Sequence, residues 1–257
     1  MTGKRLITRT IADMVVLVQR GKVRSGFRVL LYHAVGSHLP FDNYGLSIRP
    51  GLFEQHMRLL SKSHSLSPIS FAHIEPVNQP LQVAVTFDDG YKDNLYTAAP
   101  ILQKYQIPFT VFVTSSFIQS GSPEYLTPDE LKELATCPGV TIGAHGATHT
   151  PLAECDDMTL KEELYSSRCY LEDVIGKPVT TLAYPNGSAN RRVRDAAQEA
   201  GYTRGGCSHF DINQPERDPL LLSRCEVWAS DSPRILGQKL KGAWDWYRWR
   251  TLDPATH

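Results

Sequence analysis

Residues 83–91 read VAVTFDDGY, an apolar run of strand type that ends abruptly in two carboxylates and a glycine. A run rich in Val, Thr and Phe predicts a buried strand, and the Asp-Gly pair predicts a turn directly after it. Asp88 and Asp89 are therefore expected at the carboxyl end of a buried strand, where α/β proteins commonly carry their sites. Because adjacent buried carboxylates repel each other, a metal ion is the simplest stabilising partner. A strand that merely ends in a polar turn is the alternative interpretation.

Strands and helices alternate along the rest of the chain. Helical spacing or a helix cap occurs between the expected strands, for example at 52–60, at 95–105 and in the capping box of Thr127 and Glu130. Such alternation predicts an α/β fold with a parallel sheet and crossover helices. Seven units in 257 residues favour a closed or nearly closed barrel over an open sheet. The expected strands are residues 27–32, 82–87, 109–114, 140–144, 179–184, 202–207 and 222–228.

Four of these strands end in residues that carry chemistry. His33, the Asp88–Asp89 pair, His145 and the Pro-Asn-Gly turn at 185–187 each follow a strand, and a parallel barrel brings these ends to one face. His149 follows His145 by four residues, and on a helical turn two imidazoles at this spacing can face one point. One carboxylate with two histidines leaves coordination positions open for water and substrate, as catalytic metal sites do. Two loop histidines with ordinary hydrogen bonds are the alternative.

The composition argues against several functional classes. The 27 basic and 27 acidic residues give zero net charge, and because no nucleic-acid-binding motif occurs, no nucleic-acid partner is expected. The five cysteines are scattered without a C-x-x-C pair, which argues against a zinc ribbon and against a disulfide scaffold. Unpaired thiols fit a reducing compartment, so we expect a cytoplasmic protein.

The two terminal segments differ in character from the region between them. Residues 1–26 form a basic extension with a short helix expected at 10–20, which is too short to cross a membrane and is not followed by a signal-peptide cleavage site. Residues 242–257 form a tail in which three tryptophans and a tyrosine stand beside basic residues. These segments are suited to contact the inner membrane surface, or the aromatic residues pack on the barrel as its last helix. Both interpretations stay open.

Three motifs, in this order, resemble those of the NodB-homology polysaccharide deacetylases, a family of metal-dependent carbohydrate esterases. They are TFDDG at 86–90, the His-x-x-x-His pair that begins at residue 145, and YPNG at 184–187. The resemblance extends over nearly the whole chain, and we assign residues 27–241 to the barrel domain. It implies that the fold is a distorted (β/α)7 barrel.

The same resemblance implies roles for individual residues. Asp88 matches the catalytic base of the family, and Asp89, His145 and His149 match the ligands of one divalent metal ion. An Asp-His-His ligand set suits zinc best, while cobalt, nickel, iron and manganese are the other candidates.

Two departures from the family pattern concern the general acid and the residue that holds the base. The usual arginine before the Pro-x-Gly motif and the usual late Leu-x-His are both missing. Leu-Tyr-His at 31–33 instead precedes the aspartate pair, which resembles the circularly permuted branch that deacetylates poly-N-acetylglucosamine. His33 is therefore the expected general acid, with His209 as its rival and a histidine that only ends the first strand as the alternative. Arg224 is expected to replace the missing arginine and to hold Asp88.

The reaction implied by the resemblance is the hydrolysis of an amide, the N-acetyl group of an aminosugar in a polysaccharide, an oligosaccharide or a lipid-linked saccharide. The backbone N–H of Asn186 is expected to donate to the oxyanion, and Tyr184 is expected on the substrate side of the site. A deformylase or deacylase of a small lipid- or nucleotide-linked aminosugar and a non-catalytic saccharide-binding barrel are the alternatives. The expected partner is an N-acetylated aminosugar saccharide.

Overall fold

The strand that ends in the two aspartates pairs with three other strands of the sheet. The computed structural model describes residues 11–15, 26–39, 42, 44–74, 81–250 and 252–255. β5 (Leu81–Phe87) is buried along its whole length and pairs in parallel with β1 (Phe27–Tyr32). On its other edge, β4 (Leu66–Ile69) pairs with the first half of β5, and β6 (Phe109–Val113) pairs with the second half. The β-branched and aromatic side chains of β5 suit a position with apolar neighbours on both faces.

One late segment joins the two edges of the sheet. Beyond β6 the strands are β7 (Val140–Ala144), β8 (Thr181–Ala183), β9 (Arg204–Cys207), β10 (Leu222–Ser223) and β11 (Cys225–Glu226). β10 pairs with β9 and β11 pairs with β1, and the two short strands are separated only by Arg224. All of these pairings are parallel. Because the segment from β10 to β11 connects β9 with β1, the sheet forms a nearly closed barrel. The predicted barrel architecture is confirmed.

Helices connect the strands and cover the outside of the barrel. They are α1 (Pro50–Lys62), α2 (Ala99–Lys104), α3 (Ser115–Gln119), α4 (Pro128–Thr136), α5 (Asp157–Ile175), α6 (Arg191–Glu199) and α7 (Pro233–Leu240). The predicted capping box of Thr127 and Glu130 starts α4, and Gly176 ends α5 in the left-handed conformation with φ 67°. α2 continues from a π-helical turn at Asn94–Ala98, a feature that occurs frequently at functional sites. Two short strands outside the barrel, β2 (Ala34–Val35) and β3 (Ser47–Ile48), pair with each other.

Apolar side chains form a layer on each face of the sheet. Phe27, Val29, Ala84, Phe112 and Leu222 belong to a small cluster that fills the barrel, and a much larger cluster lies between the strands and the helices. Successive strand residues point to opposite faces, so alternate residues of one strand share a face.

The described parts of the two terminal segments pack together on one side of the barrel. Residues 11–15 are helical, and the rest of the predicted helix 10–20 lies outside the described residues. Ala12 and Trp244 belong to the same buried cluster, and Tyr247 packs against it. These aromatic side chains therefore pack on the barrel, whereas Trp249 is 80% exposed. Within the described part of the chain, no helix combines the length and the hydropathy needed to span a bilayer.

Candidate active site

The two adjacent aspartates diverge because the chain turns sharply between them. The N–H of Asp88 still donates to the Tyr32 carbonyl at 3.0 Å, as a continuation of the β1–β5 pairing. Asp89 and Gly90 then adopt φ values of 76° and 81°, in the left-handed region that disfavours side chains. The two carboxylates consequently meet different neighbours at the mouth of the barrel, although both are buried.

Asp88 is held by a buried arginine from the closing strand. Arg224 donates from Nη1 to Oδ1 at 2.6 Å and from Nη2 to Oδ2 at 2.7 Å, and its side chain is fully buried. Gly206 on β9 makes room for it, because a Cβ there would lie 2.6 Å from Arg224 Cδ. Burial raises the pKa of Asp88, but Arg224 and His145 together lower it by more than burial raises it, so the net shift is downward. The structure thus places Arg224 beside Asp88 as the sequence predicted, with Asp88 ionised.

Asp89 faces two histidines that come from the loop after β7. The Nε2 atom of His149 lies 3.3 Å from Asp89 Oδ1, and that of His145 lies 3.6 Å from the same oxygen. His145 is oriented by a hydrogen bond of 2.8 Å between its Nδ1 and the Ala183 carbonyl oxygen, which leaves Nε2 directed at the carboxylate. His149 is oriented by a stacking contact with Phe117 at 5.7 Å between the ring centroids. The three residues form one cluster.

The turn that carries the two histidines is irregular, which corrects the helical turn expected from their spacing. His145 continues the β7 pairing, since its N–H donates to the Val113 carbonyl at 2.9 Å. Residues 145–150 contain no helical residue, and His149 has a φ of 66°. A left-handed residue reverses the chain locally and brings the second imidazole beside the first. The i, i+4 spacing therefore brings the rings together through a strained loop.

The cluster fits a divalent metal ion. One ligand atom from each of Asp89, His145 and His149 lies within 4.8 Å of the others. A tetrahedral ion with ligands about 2.1 Å away places those ligands about 3.4 Å apart, close to the separations found here. Asp89 Oδ1 is buried, and no described residue donates a well-aligned hydrogen bond to it. Burial raises the pKa of Asp89, but His149, His33 and His145 have the larger effect and lower it to about 2. The carboxylate is therefore ionised and available as a ligand.

The two imidazoles differ in their electrostatic environment. Burial lowers the pKa of His145 below its ordinary value, even though Asp88 and Asp89 act in the opposite direction. Burial also lowers the pKa of His149, but its contact with Asp89 outweighs burial and raises the pKa overall. A neutral imidazole is the form that binds metal, so His145 is already in the form that a ligand requires.

His33 is half-buried directly after β1, which pairs with β5 on the edge away from β6 and β7. Its carbonyl accepts a hydrogen bond from Asn94 Nδ2 at 2.9 Å, and its Nδ1 is buried with no hydrogen-bond partner among the described residues. The loop that follows is fixed by Asp93, whose Oδ2 accepts from the N–H of Val35 at 2.7 Å and of Ser37 at 3.0 Å. Two residues at the start of the π-helical turn therefore hold the loop after the expected acid in place.

The two residues predicted from the turn after β8 have different outcomes. Asn186 lies exposed in that turn with a φ of 55°, and its role as an oxyanion donor stays a prediction. Tyr184 is fully buried, and its hydroxyl donates to the Leu220 carbonyl at 2.7 Å. The expectation that Tyr184 lies on the substrate side is therefore corrected, since its side chain packs between β8 and the following strands.

His209, the rival general acid, belongs to a different neighbourhood. It is 4% exposed, and its Nε2 lies 3.9 Å from Asp253 Oδ2 in the C-terminal segment. Burial lowers the pKa of His209, with Asp253 acting against it. Asp253 is itself held by both terminal nitrogens of Arg217 at 2.7 Å. The geometry therefore favours His33 over His209 as the acid of the site.

Backbone strain is concentrated at this end of the barrel. Four non-glycine residues of the described chain have a positive φ, and three of them are Asp89, His149 and Asn186. Such conformations cost free energy and persist where the surrounding structure enforces them, often at active sites. These three residues belong to the motifs of the sequence, whereas no site role was expected for Asp93, Asn94 or Glu163. No local pattern marks these as site residues, because each acts on a loop far away in the sequence.

Comparisons with known proteins agree with the geometry. The sequence model of the family described as "Polysaccharide deacetylase" matches residues 77–205, half of the chain. The chain therefore belongs to the polysaccharide deacetylase family, and it is a deacetylase of the class that hydrolyses amide bonds. His33 lies upstream of the matched residues, and the circularly permuted motif order stays a prediction.

Individual relatives point to the same family. The chain is 29% identical over 214 residues to the Bacillus subtilis (strain 168) protein named "Putative polysaccharide deacetylase YxkH", covering 81% of this chain and 74% of that one. The solved structure of the Streptococcus pyogenes deacetylase PplD in complex with acetate is 26% identical, with a TM-score of 0.75, and the match covers 84% of this chain and 99% of that one. BC0361, a polysaccharide deacetylase from Bacillus cereus, is 25% identical with a TM-score of 0.73, covering 84% and 69%.

Proposed function

We propose that this protein removes N-acetyl groups from an N-acetylated aminosugar saccharide, with one divalent metal ion held by Asp89, His145 and His149. The observation that carries the proposal is the pairing of two differently held carboxylates. Asp89 faces two imidazole Nε2 atoms at 3.3 and 3.6 Å, while Asp88 is kept apart from that role by Arg224. A metal site beside a separate, ionised carboxylate is what metal-assisted amide hydrolysis requires.

Asp88 acts as the general base in this proposal. When bound, the metal ion would lower the pKa of a water molecule and polarise the acyl oxygen of the substrate. Asp88 accepts the proton of the attacking water, and its Oδ2 lies 3.7 Å from His145 Nε2, at the edge of the metal cluster. Arg224 keeps the carboxylate in one orientation, so that little reorganisation is needed when the proton moves.

His33 and Asn186 complete the proposed site. His33 donates a proton to the departing amine, which an amide needs in order to break. The backbone N–H of Asn186 donates to the oxygen on which negative charge develops. The hydrogen-bonded carbonyl of His33 and the strained turn at Asn186 support these assignments, because each residue follows a barrel strand and has a backbone held in a defined conformation.

The proposal is tested by acetate release from N-acetylglucosamine oligomers of increasing length. Elemental analysis identifies the metal that the protein retains on purification, and we expect Zn²⁺. Separate samples of the purified protein are then assayed with added Zn²⁺, Co²⁺, Ni²⁺, Fe²⁺ or Mn²⁺. The panel includes an N-formyl aminosugar and a lipid-linked N-acetylated saccharide, which distinguish a deformylase and an enzyme of lipid-linked units from a polymer deacetylase. Bound metal without acetate release from any N-acetylated saccharide would contradict the proposal.

We also propose that the reaction takes place in the cytoplasm, at the inner membrane surface. All five cysteines are free thiols, which supports a reducing compartment. The exposed ring of Trp249 beside Arg248 supports contact with an anionic interface. Co-sedimentation with anionic vesicles should weaken in Trp249→Ser and stay unchanged in Tyr165→Ser, a substitution of an exposed aromatic residue on α5. If the unaltered protein does not bind these vesicles, the membrane part of the proposal is wrong.

A further inference from the structure

Glu163 on α5 is a buried carboxylate whose hydrogen bonds all go to the turn that carries the metal-ligand histidines. Its side chain is 5% exposed. Oε2 accepts from the backbone N–H of Ala147 at 2.8 Å and of Thr148 at 3.0 Å, and Oε1 accepts from the Thr148 hydroxyl at 2.5 Å. Two consecutive backbone donors on one charged oxygen make strong, directional hydrogen bonds. Glu163 therefore connects an outer helix to the loop between His145 and His149.

The turn is shaped to receive this carboxylate. Gly146 has a φ of 72°, and a Cβ at that position would lie 3.1 Å from Glu163 Oε2, so a side chain there would crowd the oxygen. On the opposite edge of the turn, the Ala147 carbonyl accepts from the N–H of Ser116 at 2.9 Å. The peptide groups between the two histidines are thus held from both sides.

The two histidines depend on the turn to different degrees. His145 is fixed by the β7 pairing and by the hydrogen bond of its Nδ1 to Ala183. His149 follows the turn, adopts the strained φ of 66°, and gains its side-chain contact from the Phe117 ring. The conformation of the turn therefore decides where the His149 imidazole lies relative to Asp89, and Glu163 holds two of the amides of that turn.

We propose that Glu163 is a positioning residue of the metal site, which holds His149 in the orientation that binds the ion. The inference rests on the proposed function, because it assumes that the cluster binds a metal. Glu163 acts through the Ala147 and Thr148 amides and touches neither metal nor substrate. Residues that orient metal ligands typically change metal affinity by about 10–100-fold when they are substituted.

Three variants separate this role from a general effect on the fold. Glu163→Leu removes both acceptor oxygens, whereas Glu163→Gln keeps one neutral acceptor for the backbone donors. Glu162→Leu is the matched control, because it changes the same residue type at the neighbouring, exposed position of α5. Thr148→Val removes only the hydroxyl donor and tests the contact from the other side if Glu163→Leu fails to fold.

The test is metal affinity, measured on metal-loaded protein by competition with a chromophoric chelator for Zn²⁺ and Co²⁺, together with the visible spectrum of the Co²⁺ form. We expect the Kd to rise by about 10–100-fold in Glu163→Leu and by less in Glu163→Gln and Thr148→Val, with no change in Glu162→Leu. The Co²⁺ spectrum of Glu163→Leu should shift, because the ligand geometry changes.

A lowered melting temperature with an unchanged Kd and Co²⁺ spectrum in Glu163→Leu and Glu163→Gln would assign Glu163 a purely structural role and overturn the inference. If the unaltered protein binds neither Zn²⁺ nor Co²⁺, the proposed function fails and the inference fails with it. The two failures are distinguishable because only the second affects the unaltered chain.

Discussion

Two buried arginine–aspartate pairs lie at opposite ends of the barrel strands. At the carboxyl end, Arg224 holds Asp88 through two hydrogen bonds of 2.6 and 2.7 Å. Near the amino end, Arg28 of β1 holds Asp245, with Nη2 donating to Oδ2 at 3.0 Å and Nη1 lying 2.9 Å from Oδ1. Both arginine side chains are fully buried, and both aspartates are nearly so.

The two pairs differ in what surrounds the carboxylate. Asp88 lies beside the His145 imidazole and the strained Asp89, at the mouth of the barrel. Asp245 begins a short 3₁₀ segment, follows the buried Trp244 and attaches the C-terminal aromatic residues to β1. A buried ion pair by itself therefore does not mark an active site; other reactive groups must converge on the same carboxylate. We interpret the Arg28 pair as structural and the Arg224 pair as part of the catalytic site.

The largest expected effect comes from the metal cluster, which only the Arg224 pair adjoins. His149→Ala should lose the bound metal and reduce acetate release to the background rate, because two remaining ligands hold a divalent ion poorly. Elemental analysis and the acetate assay measure both quantities. Full activity in a metal-free His149→Ala protein would contradict the assignment of the active site to the end of the barrel that carries Arg224 and Asp88.

The next largest effect is expected when the same substitution is made in each of the two paired aspartates, Asp88 and Asp245. Asp88→Asn should lower kcat by about 10²–10⁴ with metal still bound, because a carboxamide cannot accept the proton of the water. Asp245→Asn should leave the kcat/KM of the folded protein within about twofold of the original and lower only its stability. Unchanged turnover in metal-loaded Asp88→Asn would reverse our assignment of the base.

Breaking the Arg28–Asp245 pair should lower the free energy of unfolding and not the catalytic rate. Arg28→Met leaves the Asp245 charge buried without its cation, and breaking a buried pair in this way costs about 3–5 kcal/mol in the free energy of unfolding. Urea denaturation measures this loss. The double variant Arg28→Met/Asp245→Leu should recover most of it, since no unpaired charge is left. A loss as large in the double variant as in Arg28→Met would show that packing, not charge, explains the effect.

Arg224→Lys gives the smallest of these changes and sharpens the comparison further. Lysine keeps the charge but cannot reproduce the two parallel hydrogen bonds to Asp88. The loss of one charge-assisted hydrogen bond, about 1.5–3 kcal/mol, corresponds to a fall in kcat/KM of about 10–100-fold, with metal content unchanged. Arg28→Lys is the control and should leave kcat/KM unchanged. Equal kinetic losses in the two variants would contradict a special role for Arg224.

Much of the fold and half of the site followed from local sequence patterns. The strand ends at Asp88 and at His145 were predictable, because apolar runs and turn residues determine where a strand stops. The helical turn expected between His145 and His149 was wrong, because spacing alone does not distinguish a helical turn from a loop with a left-handed residue. Tyr184 was misplaced for a related reason: a motif fixes its position in the chain but not the face on which its side chain lies.

The sequence by itself determined the strand-and-helix order of this protein and the residues that carry its chemistry, since both depend on side-chain types and periodicity within short windows. Only the tertiary structure decided which of those residues meet. Arg224 reaches Asp88 across 136 positions of sequence, and Glu163 reaches Ala147 from a helix on the outside of the barrel. Such contacts depend on strand register and on the closure of the sheet through β10 and β11, which are set by the packing of the whole barrel and not by any local stretch of chain.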